Sequence, residues 1–178
     1  MNLNSTNIAV ITGGPGSGKT TLCEQLSREG IAVGRESGRA ILARTDGHDL
    51  REQSPLAYAL EILQLDVENF KRANAGSETW LFDRGFADNA GFLDLTGLPR
   101  PKELEQACRN YRYAGPIFVA PPWREIYHDD DDRIQDWLAA KATYVAVTAA
   151  WKKYGYDLVE LPKASVEERV LFVKKRLA

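Results

Sequence analysis

Residues 13–20, Gly-Gly-Pro-Gly-Ser-Gly-Lys-Thr, set a lysine and a hydroxyl directly behind a glycine-rich turn. The segment fits G-x-x-x-x-G-K-[ST] at every required position. Glycines allow positive φ and carry no side chains, so successive backbone N–H groups can converge on phosphate oxygens. Lys19 brings a mobile cation to the β- and γ-phosphates, and Thr20 offers a hydroxyl to Mg²⁺. The nucleotide-binding set is read as Gly13, Gly14, Pro15, Gly16, Ser17, Gly18, Lys19, Thr20 and Thr21. A plain glycine-rich turn is the simpler reading, but it leaves the flanks unexplained. A β-branched run, NIAVIT, precedes the turn and a helix-forming run, KTTLCEQL, follows it. A phosphate cradle needs that strand and that helix N-terminus.

Three further groups carry chemistry. In TWLFDRG, Asp83 ends an apolar run and suits a carboxylate that holds Mg²⁺ together with Thr20. Arg84 stands where a water-activating ATPase often carries glutamate, and its fork suits an oxyanion on a second substrate. A strand-end ion pair is the competing reading of Asp83-Arg84. Glu36, in GRESGRAIL, follows a short apolar run. It is placed to orient or deprotonate an acceptor hydroxyl, and reads equally well as a first-turn glutamate favoured by the helix dipole. Arg124 and Arg133 bracket the acidic stretch in PPWREIYHDDDDR. They suit a lid that closes on a transferring phosphate and excludes water, or else surface ion pairs. Asp129 to Asp132 read as a solvated helix-capping turn rather than a metal site. Gln64 reads as a structural amide with an outside claim to touch substrate, and His48 and His128 have no partners that would give them a role.

These groups must be positioned by alternating elements. Strands are expected over residues 7–12, 30–34, 79–83, 116–120 and 156–161. Leu56, Leu60, Leu63, Val67 and Phe70 mark one face of a helix over 54–75, opened by Ser54-Pro55. Other helices are expected after Thr20, from near Ser37, over 133–154 and over 165–177, the last with a Ser165/Glu168 capping box. The tract 86–112 reads as two helices broken at Gly97-Leu98-Pro99. Strands alternating with helices imply parallel pairing and a three-layer α/β sandwich.

The chain's 178 residues, 44% hydrophobic, fit a single domain spanning 1–178 with a lid segment around 121–137. A net charge of −2 gives no polybasic surface for nucleic acid or anionic lipid. No apolar run approaches the ~18 residues of a membrane span, and MNLNST does not resemble a secretory signal. Cys23 and Cys108 are far apart and read as small core residues of a reduced, cytoplasmic protein.

In sequence, GGPGSGKTTL, RESGRAIL, a long helix, LFDRG, PPWREIYHDDDDR and YGYDLVELPKASVEERVLFV resemble the AAA-type ATPase-domain family, grouped with the nicotinamide-riboside kinase domain. The resemblance covers nearly the whole chain. It implies a P-loop NTPase fold of the nucleoside/nucleotide-kinase branch, with a five-stranded parallel sheet in the order 2-3-1-4-5. The layout is also similar to deoxyribonucleoside kinases. That likeness implies Glu36 as general base, Asp83-Arg84 at the third strand's end, Gln64 near a nucleobase and lid arginines on phosphate. It also implies that Pro162-Lys163-Ala164 lies near adenine. The Trp- and Asp-rich lid departs from the basic lid of those kinases. The expected function is ATP- and Mg²⁺-dependent transfer of a phosphoryl group to a small-molecule hydroxyl or phosphate acceptor, by Lys19, Glu36, Asp83, Arg84, Arg124 and Arg133. The alternative is a regulatory nucleotide-binding ATPase with slow hydrolysis and a protein partner.

Overall fold

A computed structural model describes residues 8–127 and 137–177. Its element order begins β1 (Ile8–Gly13), α1 (Lys19–Arg28), β2 (Ala32–Gly34), α2 (Ser37–Leu42), α3 (Gly47–Gln53), α4 (Pro55–Asn74) and β3 (Trp80–Asp83). It continues with α5 (Phe86–Thr96), α6 (Lys102–Asn110), β4 (Ile117–Ala120), α7 (Trp137–Lys153), β5 (Leu158–Glu160) and α8 (Val166–Leu177). A single 3₁₀ turn, Arg124–Ile126, follows β4.

The strands form one parallel sheet in the order β2-β3-β1-β4-β5. β1 lies at its centre and is buried on both faces, which its unbroken apolar run requires. Ile8 and Val10 face a core built with α4, α5, α6 and α7. Ala9 and Ile11 face the opposite core, under α1 and α8. Alternate side chains of one strand thus serve both helical layers. Cys23 and Cys108 are buried, one in each core, as expected of small apolar residues.

Parallel pairing brings the carboxyl ends of the strands to one edge, where ligands of such sheets gather. Ile11 is level with Asp83 and Gly13 with Ala120. The sheet needs glycine at residue 13: φ is +134°, and a Cβ there would lie 2.4 Å from the Ala120 carbonyl oxygen. α8 begins on the expected capping box. The Glu168 amide donates to Ser165 Oγ at 3.3 Å and the Ser165 amide to Glu168 Oε2 at 3.1 Å. Ser54 sits at the N-cap of α4 with Pro55 at the first helical position, but its side chain makes no capping bond.

α3 was not expected. Its sequence, GHDLREQ, has one large apolar residue and no helical stripe. Gly47 packs it against the end of α2, where an added Cβ would lie 2.1 Å from the Ile41 carbonyl oxygen. The expected start of α7 at residue 133 lies outside the described residues, and the described helix begins at Trp137. Among the described residues, no helix is long and apolar enough to cross a membrane.

Candidate active site

The loop read as a phosphate cradle takes the backbone that its glycines allow. Gly16 and Gly18 take φ of +71° and +76°, and α1 starts directly behind them at Lys19. Gly14 leaves room for a second element, since a Cβ there would lie 2.3 Å from the Ala140 carbonyl oxygen of α7. Lys19 Nζ donates to the Gly14 carbonyl at 2.6 Å and to Ser17 Oγ at 3.3 Å, and Ser17 Oγ donates to the same carbonyl at 2.8 Å. Burial, and next the charge of Arg84, pull the Lys19 pKa down to about 8.

Asp83 ends β3 and is 8% exposed, and its Oδ1 is buried without a hydrogen-bond partner. Burial raises its pKa above the usual carboxylate range. An orphaned carboxylate oxygen has the chemistry to take a divalent cation, as has the Thr20 hydroxyl at the start of α1.

Arg84 is the one non-glycine residue with positive φ (+73°) among those described. Its amide bonds the Ile11 carbonyl at 2.9 Å, and the left-handed turn sends its side chain back over the sheet edge. There Nε donates to Glu36 Oε1 at 2.9 Å, while Nη1 donates to the Gly13 carbonyl and to Asp88 Oδ1, each at 3.2 Å. The ion pair at this strand end is therefore Arg84 with Glu36 and Asp88, not Arg84 with Asp83. Burial disfavours the Glu36 carboxylate, but Arg84 and Lys19 outweigh it and hold its pKa below the ordinary range. Backbone strain of this kind costs about 1–3 kcal/mol and persists where the surroundings over-determine it.

Asp88 supplies that determination. It accepts from Thr12 Oγ1 at 2.5 Å, from Trp151 Nε1 at 3.0 Å and from the Gly85 amide at 3.1 Å. One buried carboxylate thus ties β1, α5, α7 and Arg84 together.

Lys19, Thr20, Glu36, Arg84 and Asp88 border one cavity of about 850 Å³, while Asp83 lies buried at the end of β3 and is not part of its wall. The cavity lining includes loop residues Pro15 to Thr21 and, of the stretch Pro162-Lys163-Ala164 expected near adenine, Ala164. It also includes Glu36, Ser37, Tyr58, Asp66, Asn89 and Phe92. Tyr58 and Phe92 meet edge to face with centroids 5.6 Å apart. Ser37 Oγ donates to Asp66 Oδ1 at 2.6 Å, and burial pushes the Asp66 carboxyl up to about 7.

Of the two lid arginines, Arg124 is described and is not at the cavity wall. Arg124 is exposed and stacks over Tyr127 and Trp137, 5.7 and 5.4 Å from their ring centroids. Its neighbours Trp123 and Ile126 line the cavity instead. Arg133 and Asp129 to Asp132 lie outside the described residues. Gln64 is exposed and donates to Glu68 Oε1 at 3.3 Å, away from the cavity.

Asp66, Asp88 and Arg169 were missed. Two of them carried a legible signal, because Asp66 falls between Leu63 and Phe70 on the apolar stripe of α4, and Arg169 between Val166 and Val173 on that of α8. A charge on a core stripe is a group that needs a buried partner. Asp88 gave no such warning, since α5 is apolar nearly all round.

The AAA domain family model matches residues 8–169 of this chain. No curated protein matches its sequence. Among solved structures, deoxyadenosine kinase from M. mycoides is similar with a TM-score of 0.69 at 12% identity, over 96% of this chain and 98% of that one. Thymidylate kinase from Ehrlichia chaffeensis is similar with a TM-score of 0.64 at 16% identity, over 98% of this chain and 100% of that one. The NadR protein, solved in complex with NR, is similar with a TM-score of 0.68 at 17% identity, over 97% of this chain and 52% of that one. At these identities the likeness establishes the P-loop kinase fold.

Proposed function

This chain belongs to the AAA domain family, and from that premise we propose that it transfers the γ-phosphoryl group of ATP to a hydroxyl or phosphate of a small molecule. One observation carries the reading. One cavity is lined both by loop residues Pro15 to Thr21 and by Glu36, Tyr58, Asp66 and Phe92. An enzyme that uses only water as acceptor has no need of the added wall of Tyr58, Asp66 and Phe92.

In this reading Lys19 and the loop amides hold the phosphate chain, and Thr20 with Asp83 hold Mg²⁺. Held there, the ion would supply charge neutralisation to the phosphate chain. The acceptor oxygen forms a bond to the γ-phosphorus while the bond to the β–γ bridging oxygen breaks, leaving ADP. Glu36 takes the acceptor's proton, and its ionised state is secured by Arg84 and Lys19. Arg84, anchored by Asp88, then stabilises charge on the transferring group. Residues 121–137 would form the lid that excludes water, with Arg133 as a candidate phosphate contact, while Arg124 stacks on Tyr127 and Trp137 instead.

The test is ATP consumption measured alone and against a panel of nucleosides, nucleotides and small alcohols with Mg²⁺. Consumption is expected to be slow alone and to rise by orders of magnitude with the right acceptor. Equal consumption with and without every acceptor, alongside tight ATP binding, would favour a regulatory ATPase.

A further inference from the structure

Arg169 lies on α8, 152 residues from the carbonyl it binds. It is 3% exposed, which places a guanidinium among the core residues Val170 and Val173 of the same helix. Its Nη1 donates to the Ser17 carbonyl at 3.2 Å, and its Nε is buried without a partner. Among the described residues it forms no salt bridge. A buried cation without a counter-charge is costly. Burial accordingly draws its pKa below the ordinary value. Proteins keep such a charge when something outside the chain supplies its opposite.

Its position says what that is. The guanidinium rests on the bare backbone of Gly18, where a Cβ would lie 2.7 Å from Nη1. Gly18 immediately precedes Lys19, and Arg169 also borders the cavity. The peptide joining Ser17 to Gly18 is trans, so its C=O and N–H point oppositely. Holding the Ser17 carbonyl from one side therefore fixes the Gly18 N–H on the other.

We propose that Arg169 belongs to the nucleotide site as a positioning residue, whose charge is compensated by the phosphate chain held in residues 13–20. The inference rests on the reading of that loop as the phosphate site. It makes α8 part of donor binding, with Arg169 acting on the loop from behind while Lys19 acts from within it. A polyphosphate, not the base, is the moiety Arg169 senses.

The test compares wild type, Arg169→Gln, Arg169→Lys and Lys19→Ala by calorimetric titration with ADP and with pyrophosphate, and by urea unfolding without ligand. Gln keeps a donor for Ser17 but drops the charge, and Lys keeps both. Arg169→Gln is expected to weaken ADP and pyrophosphate at least tenfold, to be rescued to within about threefold by Lys, and to be no less stable than wild type without ligand. Undiminished affinity in Arg169→Gln, or Lys no better than Gln, overturns the proposal. So does a Gln variant that fails to fold or unfolds at lower urea, because its charge would then have a partner within the chain. If wild type and Lys19→Ala alike ignore both ligands, it is the phosphate-site reading itself that falls.

Discussion

Glu36 and Arg84 define each other at the residue scale. The carboxylate is kept ionised by the guanidinium 2.9 Å away, so it can take a proton while adding little to ground-state binding. Glu36→Gln should therefore leave ADP affinity within about twofold and reduce phosphoryl transfer by about 10²–10⁴-fold. Parallel titration calorimetry and a coupled kinase assay check this, and undiminished transfer removes Glu36 from the chemistry. Lys19 gives a pH dependence. Its pKa is about 8, lowered by burial and next by Arg84. A bound phosphate chain favours the charged form and raises that pKa, so binding takes up a proton. Nucleotide affinity should then be steady below pH 8 and fall above it, by up to tenfold per pH unit, until the bound-state pKa is passed. ADP titrations from pH 7 to 10 check this, with Lys19→Ala expected to lose the slope. The roles argued for Lys19 and Asp83 were legible because a short local pattern fixes the backbone that positions them. The pairing of Arg84 with Glu36 was not legible. It depends on a left-handed turn at a non-glycine residue, which the neighbouring sequence does not announce.

Close backbone approach carries much of the architecture at the element scale. α5 and α7 meet at Gly91, where an added Cβ would lie 2.9 Å from Val147 Cα. Alanine is the better helix former by about 1 kcal/mol, so propensity alone would make Gly91→Ala stabilising. Overpacking against a neighbouring backbone costs about 1–3 kcal/mol and should win. Urea unfolding should show a net loss of about 0–2 kcal/mol, and a more stable variant would mean that the helices part easily. Because Asp88 lies on α5 and bonds Trp151 of α7, the same variant should also weaken transfer. The strands and most helices were legible because burial on two faces or on one stripe leaves a period of 2 or 3.6 in the chain. α3 was not, since packing on α4 and on the end of α2 holds it rather than an apolar stripe of its own. Gln64 shows the same limit from the other side. It lies two residues from Asp66, which turns it about 200° around α4 and out to solvent while Asp66 reaches the cavity.

For the molecule as a whole, the question is whether one cavity serves two substrates or one nucleotide and water. The sheet order places α2 and α4 beyond β3 on one side of β1, and α7 and α8 on the other. The loop and the wall of Tyr58 and Phe92 therefore come from different parts of the chain, and α7 and the start of the β4–α7 connection add to the same cavity. Trp123 and Ile126 border the cavity from that connection. A kinase must keep water from the γ-phosphate, whereas a slow regulatory ATPase must admit it. Trp123→Ala should accordingly lower acceptor phosphorylation several-fold and raise the share of ATP lost to hydrolysis, because the cavity opens without touching Lys19, Glu36 or Asp83. Product analysis separating phosphorylated acceptor from free phosphate reads both quantities in one reaction. A regulator predicts the reverse pattern. Free phosphate would be the sole product in wild type, indifferent to acceptor, and nucleotide would change the protein's hydrodynamic radius or its affinity for a partner. The two outcomes exclude each other, and the aromatic wall of Tyr58 and Phe92, which water does not need, favours the first.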